Sequence, residues 1–190
     1  AEFCHRLLAE ITDRPISFEV FADEPDEIRR QARTLASWGE NVYVKVPVTT
    51  TRGESLAPVV RDLSQEGVQV NVTALFTPRQ VAEITEAVAD GAPSCISVFA
   101  GRIADTGRDP VPIMREALEI MRAAPRAELI WASPRELLNI VQADAIGCHI
   151  ITCTAEVLAK LGTLGKDLEE YSLETVRMFH RDATTAGFTL

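Results

Sequence analysis

The sequence predicts an α/β fold, a (β/α)8-type barrel, on three observations. Short β-branched runs alternate with amphipathic stretches along the chain, no glycine-rich phosphate loop follows any run, and several runs carry polar residues among apolar ones. The alternation calls for parallel strands joined by right-handed crossovers, arranged either as an open doubly wound sheet or as a closed barrel. The absence of a GxGxxG or Walker pattern weakens the nucleotide-binding sheet. Glu19, Lys45, Asn71, Thr73, Ser97 and Ser133, polar positions in or just after these runs, suit a barrel, which points such residues inward towards its C-terminal mouth.

Taken in order, the chain opens inside a helix over 1–11 and enters a strand at 16–20. A helix over 26–37 follows, with Ile28, Ala32, Leu35 and Ala36 at the spacing of one helical face. The β-branched run 42–46 is the most hydrophobic strand. A helix over 55–66 leads to a strand at 70–76. Pro78 starts the next helix, over 78–89, because a missing N–H does little harm in a first turn. A strand at 96–99, a helix over 112–123 opened by Pro112, a strand at 129–132, a helix over 134–142 opened by Pro134, and a strand at 150–152 complete the series. Helices over 155–161 and 172–186 form the tail. This makes six strand–helix units within residues 1–190, read as a single domain. An eight-unit barrel needs two more, so the chain is expected to cover strands 3 to 8 and to lack the first two units.

Composition sets outer limits. The 190 residues are 46% hydrophobic and 25% charged, ordinary for a soluble globular domain. A net charge of −9 argues against a nucleic-acid partner, since phosphate backbones need basic faces. No apolar run approaches the roughly 18 residues of a membrane helix. Cys4, Cys95, Cys148 and Cys153 form no CxxC pair and sit in apolar stretches, so a reduced, cytoplasmic setting is expected. Only three of the nineteen basic residues are lysines, Lys45, Lys160 and Lys166, and one of them stands inside the most hydrophobic strand.

A lysine in a buried strand loses solvation of its charged form, which makes a free amine available. Such an amine attacks a ketone and forms an iminium that serves as electron sink for C–C cleavage. The alternative for Lys45 is a stem lying along the strand with its head in water. Glu19 lies one strand earlier, where a carboxylate needs a task or a partner. It could move protons or pair with an arginine. Asn71 and Thr73, two apart, share a strand face. Beside an imine, a carboxylate and a hydroxyl could hold water for proton transfer; the alternative for the strand pair is edge hydrogen bonding. The segment from Ser97 to Arg102 ends one strand, and that from Ser133 to Arg135 ends the next. Two guanidinium groups and two hydroxyls at adjacent strand ends would grip a phosphate, although a lone arginine at a helix start is more often a solvated charge. The stretches 105–109 and 147–149 read as loops or strand ends, and His5 and His149 as core or surface positions. No His/Cys/Asp cluster has metal-site spacing, and the lysine route needs no metal or other cofactor.

These stretches together resemble the transaldolase family, a Schiff-base group with a TIM-type barrel. Val-Lys45-Val-Pro-Val-Thr is similar to the family's Schiff-base strand, and the strand with Asn71 and Thr73 to the one whose Asn and Thr flank the imine and help hold the catalytic water. Ser97-Val-Phe99-Ala-Gly-Arg102 and Ala-Ser133-Pro-Arg135 resemble its sugar-phosphate segments. The similarity runs from about residue 5 to residue 160 in order and spacing. Glu19 and Phe99 match the transaldolase pattern, where fructose-6-phosphate aldolases tend to carry Gln and Tyr. The resemblance implies proton transfer through water at Glu19, and a carbanion that Phe99 leaves for a second aldehyde. The chain would then move a dihydroxyacetone unit from a ketose phosphate to an aldose phosphate, chemistry of the pentose phosphate type. The family's first strand carries an Asp and its second an Asn near the lysine, and nothing before Phe3 supplies either. Sugar phosphates are the expected partners. The tail helix would pack on its own barrel or on a second copy. Alternatives are a fructose-6-phosphate aldolase-like or specialised sugar-building aldolase, and a phosphosugar-binding barrel without turnover.

Overall fold

The computed structural model describes residues 1–188. They divide into two compact units, the first Ala1–Cys153 and the second beginning at Thr154.

The first unit holds six strands: β1 (Ile16–Glu19), β2 (Val42–Pro47), β3 (Val70–Leu75), β4 (Ser94–Val98), β5 (Ala127–Trp131) and β6 (Ile150–Ile151). Each neighbouring pair is parallel, and the order across the sheet is the order along the chain. A doubly wound sheet reverses its strand order at a switch point. Strict sequential order is the winding of a barrel wall, so the sheet is a six-stranded arc of a (β/α) barrel with β1 and β6 at its edges.

Helices α1 (Glu2–Glu10), α2 (Pro25–Ala36), α3 (Ala57–Gln65), α4 (Pro78–Val88), α5 (Ala100–Ala104), α6 (Val111–Met121) and α7 (Leu138–Ala145) flank the strands. α2 starts with Pro25 and puts Asp26 and Glu27 in its first turn, where carboxylates favour the positive end of the helix dipole. Its buried face is Ile28, Ala32 and Leu35. α4 is fixed by a capping box: Thr77 Oγ1 accepts from Gln80 N, and the Gln80 side chain accepts from Thr77 N.

Strand pleating sorts the side chains. On β2, Val42, Val44 and Val46 are buried, and Tyr43, Lys45 and Pro47 between them are half-buried. The valines join Val70, Val72, Ile96, Val98, Leu129 and Trp131 in one core with Ile28, Leu63, Ile84 and Met114 from the helices. At about 25 cal/mol per Å² of apolar surface removed from water, this cluster is the main source of the unit's stability. The intervening positions form the concave face.

Several expectations of element boundaries are corrected. β4 begins at Ser94 and ends at Val98, so Phe99 is the N-cap of α5, a five-residue helix that the sequence pattern does not reveal. The helix expected over 134–142 begins only at Leu138. Ser133 has a φ of 58°, and the side chain of Asn139 accepts the backbone N–H of Arg135 at 2.7 Å and of Glu136 at 3.2 Å. Residues 134–137 are held as a turn by that carbonyl. Finally, β6 has two residues where three are expected.

In the second unit, α8 (Ala155–Ala159) is capped by Thr154 and runs into a 3₁₀ turn, Lys160–Thr163. α9 (Leu168–Ala186) starts earlier than expected because the Asp167 carboxylate accepts Glu170 N at 2.9 Å. No helix among the described residues is long and apolar enough to cross a membrane.

Candidate active site

The concave face holds a cavity of about 520 Å³ lined by residues of all six strands and their C-terminal ends. Strand register explains its content. Glu19 pairs with Lys45, Lys45 with Asn71, Asn71 with Cys95, and Cys95 with Glu128. These positions share one level of the pleat and one face. Pro47 pairs with Thr73 a level nearer the mouth.

Lys45, Asn71, Thr73, Ser97, Phe99 and Ser133 all line this cavity. Lys45 Nζ stands 3.5 Å from Glu19 Oε2, with about a third of the lysine side chain and half of the glutamate side chain exposed. The lysine is therefore less enclosed than the apolar strand sequence suggests. The apolar residues of β2 are Lys45's neighbours in sequence but cover the opposite face. Asn71 is held from both sides: its Nδ2 donates to Ser17 Oγ at 3.0 Å, and its Oδ1 accepts from Ser97 Oγ at 2.8 Å. This fixes the amide on the strand beside the lysine. The Thr73 hydroxyl is buried and has no hydrogen-bond partner among the described residues, so it has free capacity towards whatever enters the cavity.

Glu19, Arg102 and Arg135 are not part of the cavity lining. Arg102 stacks on Phe99, its guanidinium carbon 5.0 Å from the ring centroid. Arg135 donates through Nε and Nη2 to Asp105, and this pair holds the Asp105 carboxyl below the usual carboxylate range. Ser97 is committed to Asn71, so Ser133 is the expected phosphate-site hydroxyl lying on the same loop as an arginine.

Sequence reasoning missed Ser17, Tyr43, Cys95, Glu128 and Asp105. The first four were within reach of the period-two rule: Ser17 lies two residues before Glu19 and Tyr43 two before Lys45, while Cys95 and Glu128 continue the register row of Lys45 and Asn71. Asp105 was not, because the short helix that presents it carries no periodic signal. Burial, with Glu128 adding to it, pushes the Cys95 thiol up to about 12, so this cavity cysteine is no thiolate nucleophile near neutral pH. Tyr43 is raised by burial and by the same two neighbours. Among the described residues no group of His, Cys, Asp and Glu is arranged to hold a metal ion. The ionisable side chains that line the cavity are Lys45, Glu128, Cys95 and Tyr43, with the Glu19 carboxylate 3.5 Å from the amine and Arg102 stacked on the lining residue Phe99.

The family model described as transaldolase/fructose-6-phosphate aldolase matches residues 1–190. Curated proteins called probable transaldolase align with most of the chain. The one from Streptococcus agalactiae is 38% identical over 157 residues, covering 82% of this chain and 69% of that protein. The one from Streptococcus equi subsp. zooepidemicus is 37% identical over 155 residues, covering 81% and 69%, and the one from Herpetosiphon aurantiacus is 34% identical, covering 81% and 66%. The chain thus spans about two thirds of the length of these relatives. Among solved structures, an orotidine 5′-phosphate decarboxylase from Lactobacillus acidophilus superposes with a TM-score of 0.53 at 16% identity, covering 75% of this chain and 72% of that one. A mandelate oxidase mutant gives 0.55 at 16% identity, covering 94% and 60%. At such low identity these two speak for the barrel-type fold alone. By the family match and its curated relatives, the chain belongs to the transaldolase/fructose-6-phosphate aldolase family.

Proposed function

We propose that this chain carries the Schiff-base centre of a transaldolase, with Lys45 as the nucleophile. The observation that carries the reading is the place of Lys45: on the cavity side of β2, with the Glu19 carboxylate at 3.5 Å and Asn71 and Thr73 on the adjoining strand. Once deprotonated, the amine adds to the carbonyl carbon of a ketose phosphate. The carbinolamine loses water to give an iminium. Removal of the proton from the hydroxyl two carbons from the iminium carbon breaks the bond between that hydroxyl's carbon and the carbon next to the iminium, and the electron pair moves into the iminium to leave an enamine. The shortened aldose phosphate departs, the enamine carbon attacks the aldehyde of an acceptor, and water hydrolyses the new iminium. Glu19 is the carboxylate within reach of the amine for these proton transfers, and Thr73 has a free hydroxyl to hold the water.

Phe99 supports transfer rather than simple cleavage, because a phenyl ring offers the enamine carbon no proton. Arg102 and Arg135 supply the positive charge for the substrate phosphate, with Ser133 beside them. The proposed setting is the cytoplasm.

Borohydride reduction in the presence of a ketose phosphate tests the centre. Reduction converts the iminium to a stable secondary amine, so peptide mass mapping is expected to find the adduct on Lys45. The Lys45→Ala variant should keep its fold and lose turnover by several orders of magnitude, as removal of a covalent nucleophile does. An adduct on another lysine, or none, would overturn the assignment.

A further inference from the structure

We propose that Asp105 is a positioning residue of the phosphate site: it holds the Arg135 guanidinium by one edge and offsets part of the charge that Arg135 and Arg102 bring together. The inference rests on the reading of those two arginines as the phosphate-binding pair.

Arg135 is fixed at both ends. Its Nε donates to the two Asp105 oxygens at 3.0 and 3.1 Å, and its Nη2 donates to Asp105 Oδ2. Its backbone N–H donates to Asn139 Oδ1 at 2.7 Å. A guanidinium is planar and carries five N–H groups, so one edge bound to a carboxylate leaves Nη1 and the outer N–H of Nη2 aimed in a set direction. Asp105 is the C-cap of α5 and stands three residues after Arg102, a spacing that places both side chains on one side of the helix. Arg102 adds its own pull on the Asp105 carboxyl, after that of Arg135. Asp105 therefore ties Arg135, which follows β5, to the helix after β4 that carries Arg102.

The helix bearing Asp105 is itself locked to the loop bearing Arg135. A Cβ on Gly101 would lie 1.4 Å from the Ser133 carbonyl oxygen, and Gly101 N donates to Ala132 O at 3.2 Å. With two guanidinium groups and one carboxylate, the cluster keeps a single net positive charge. That is enough to attract a phosphate dianion while leaving the arginines ordered before it arrives, so less conformational entropy is lost on binding. A carboxylate acting only as a competing counter-ion would have the opposite effect on affinity.

The test is steady-state kinetics of the purified protein and of Asp105→Asn and Asp105→Glu, with a phosphorylated and an unphosphorylated ketose donor. Asp105→Asn is expected to raise KM for the phosphorylated donor about tenfold, the equivalent of one well-aimed charged contact. Its kcat should stay within about twofold, the unphosphorylated donor should be unaffected, and Asp105→Glu should recover most of the loss. An unchanged KM would overturn the proposal, as would a lower KM, which marks a mere competitor, or an equal rise for both donors, which marks general distortion. Binding of inorganic phosphate by titration calorimetry separates this proposal from the wider one. If wild type forms no adduct at Lys45, the Schiff-base reading fails by itself. Weaker phosphate binding by Asp105→Asn would still support the role of Asp105, and equal or tighter binding would still overturn it.

Discussion

At the scale of the residue, the site depends on carboxylates meeting fixed partners. Asp23 follows β1 and accepts both the backbone N–H and the hydroxyl of Thr51, each at 2.7 Å, and Thr51 belongs to the loop after β2. It thereby ties the segment beyond Glu19 to the segment beyond Lys45. These bonds hold the Asp23 carboxyl below its ordinary value, the Thr51 hydroxyl contributing most. A carboxylate whose folded pKa is depressed stabilises the fold fully above its unfolded value and loses that contribution as pH falls through the folded one. Asp23→Asn is therefore expected to melt a few degrees below wild type at neutral pH, with the gap closing below about pH 4. Thermal melts across that range check this; a gap of constant size from pH 7 to 3 would remove the charge-based explanation.

At the scale of the element, close backbone approach decides more than periodicity does. α5 has five residues and marginal helical stability of its own. It is held because Gly101 lets it press against the carbonyl of Ser133. Gly101→Ala puts a methyl group into that contact, and neither backbone can yield without moving Arg102 or Arg135. A destabilisation of roughly 1–3 kcal/mol is expected, the usual range for overpacking. Phosphate binding should weaken, and borohydride trapping at Lys45 should persist because β2 is untouched. Chemical denaturation together with phosphate titration reads both effects. Full stability of Gly101→Ala would show that the contact relaxes freely.

At the scale of the molecule, the core lies within the first unit, and α9 carries no buried residue. Removal of residues 168–190 should leave cooperative unfolding with a midpoint within about 4 °C of the intact chain, the shift that ~1 kcal/mol gives in a domain of this size. Calorimetry of the shortened chain checks this, and a much larger fall would mean that α9 supports the barrel arc. The sequential, all-parallel strand order has its own consequence. It brings the C-terminal ends of β1 to β5 to one mouth, so that Lys45, Asn71, Thr73, Ser97 and Ser133 line one cavity although they come from three separate strands and the loop after a fourth.

The sequence by itself determined the alternation of strands and helices, the face on which Lys45, Asn71 and Thr73 lie, and the family motifs that mark the site. Each is written in short-range periodicity, two for a strand and 3.6 for a helix, or in contiguous residues. Only the tertiary structure decided that Asn71 is clamped between Ser17 and Ser97, that Lys45 is half-open beside Glu19, and that Arg135 is taken up by Asp105. The same holds for the late start of α7, which follows from the Asn139 side chain capturing the N–H groups of Arg135 and Glu136. These outcomes depend on strand register, on a left-handed Ser133 and on the space a missing Cβ leaves at Gly101. All of them are set when distant segments pack together, and no local pattern records them.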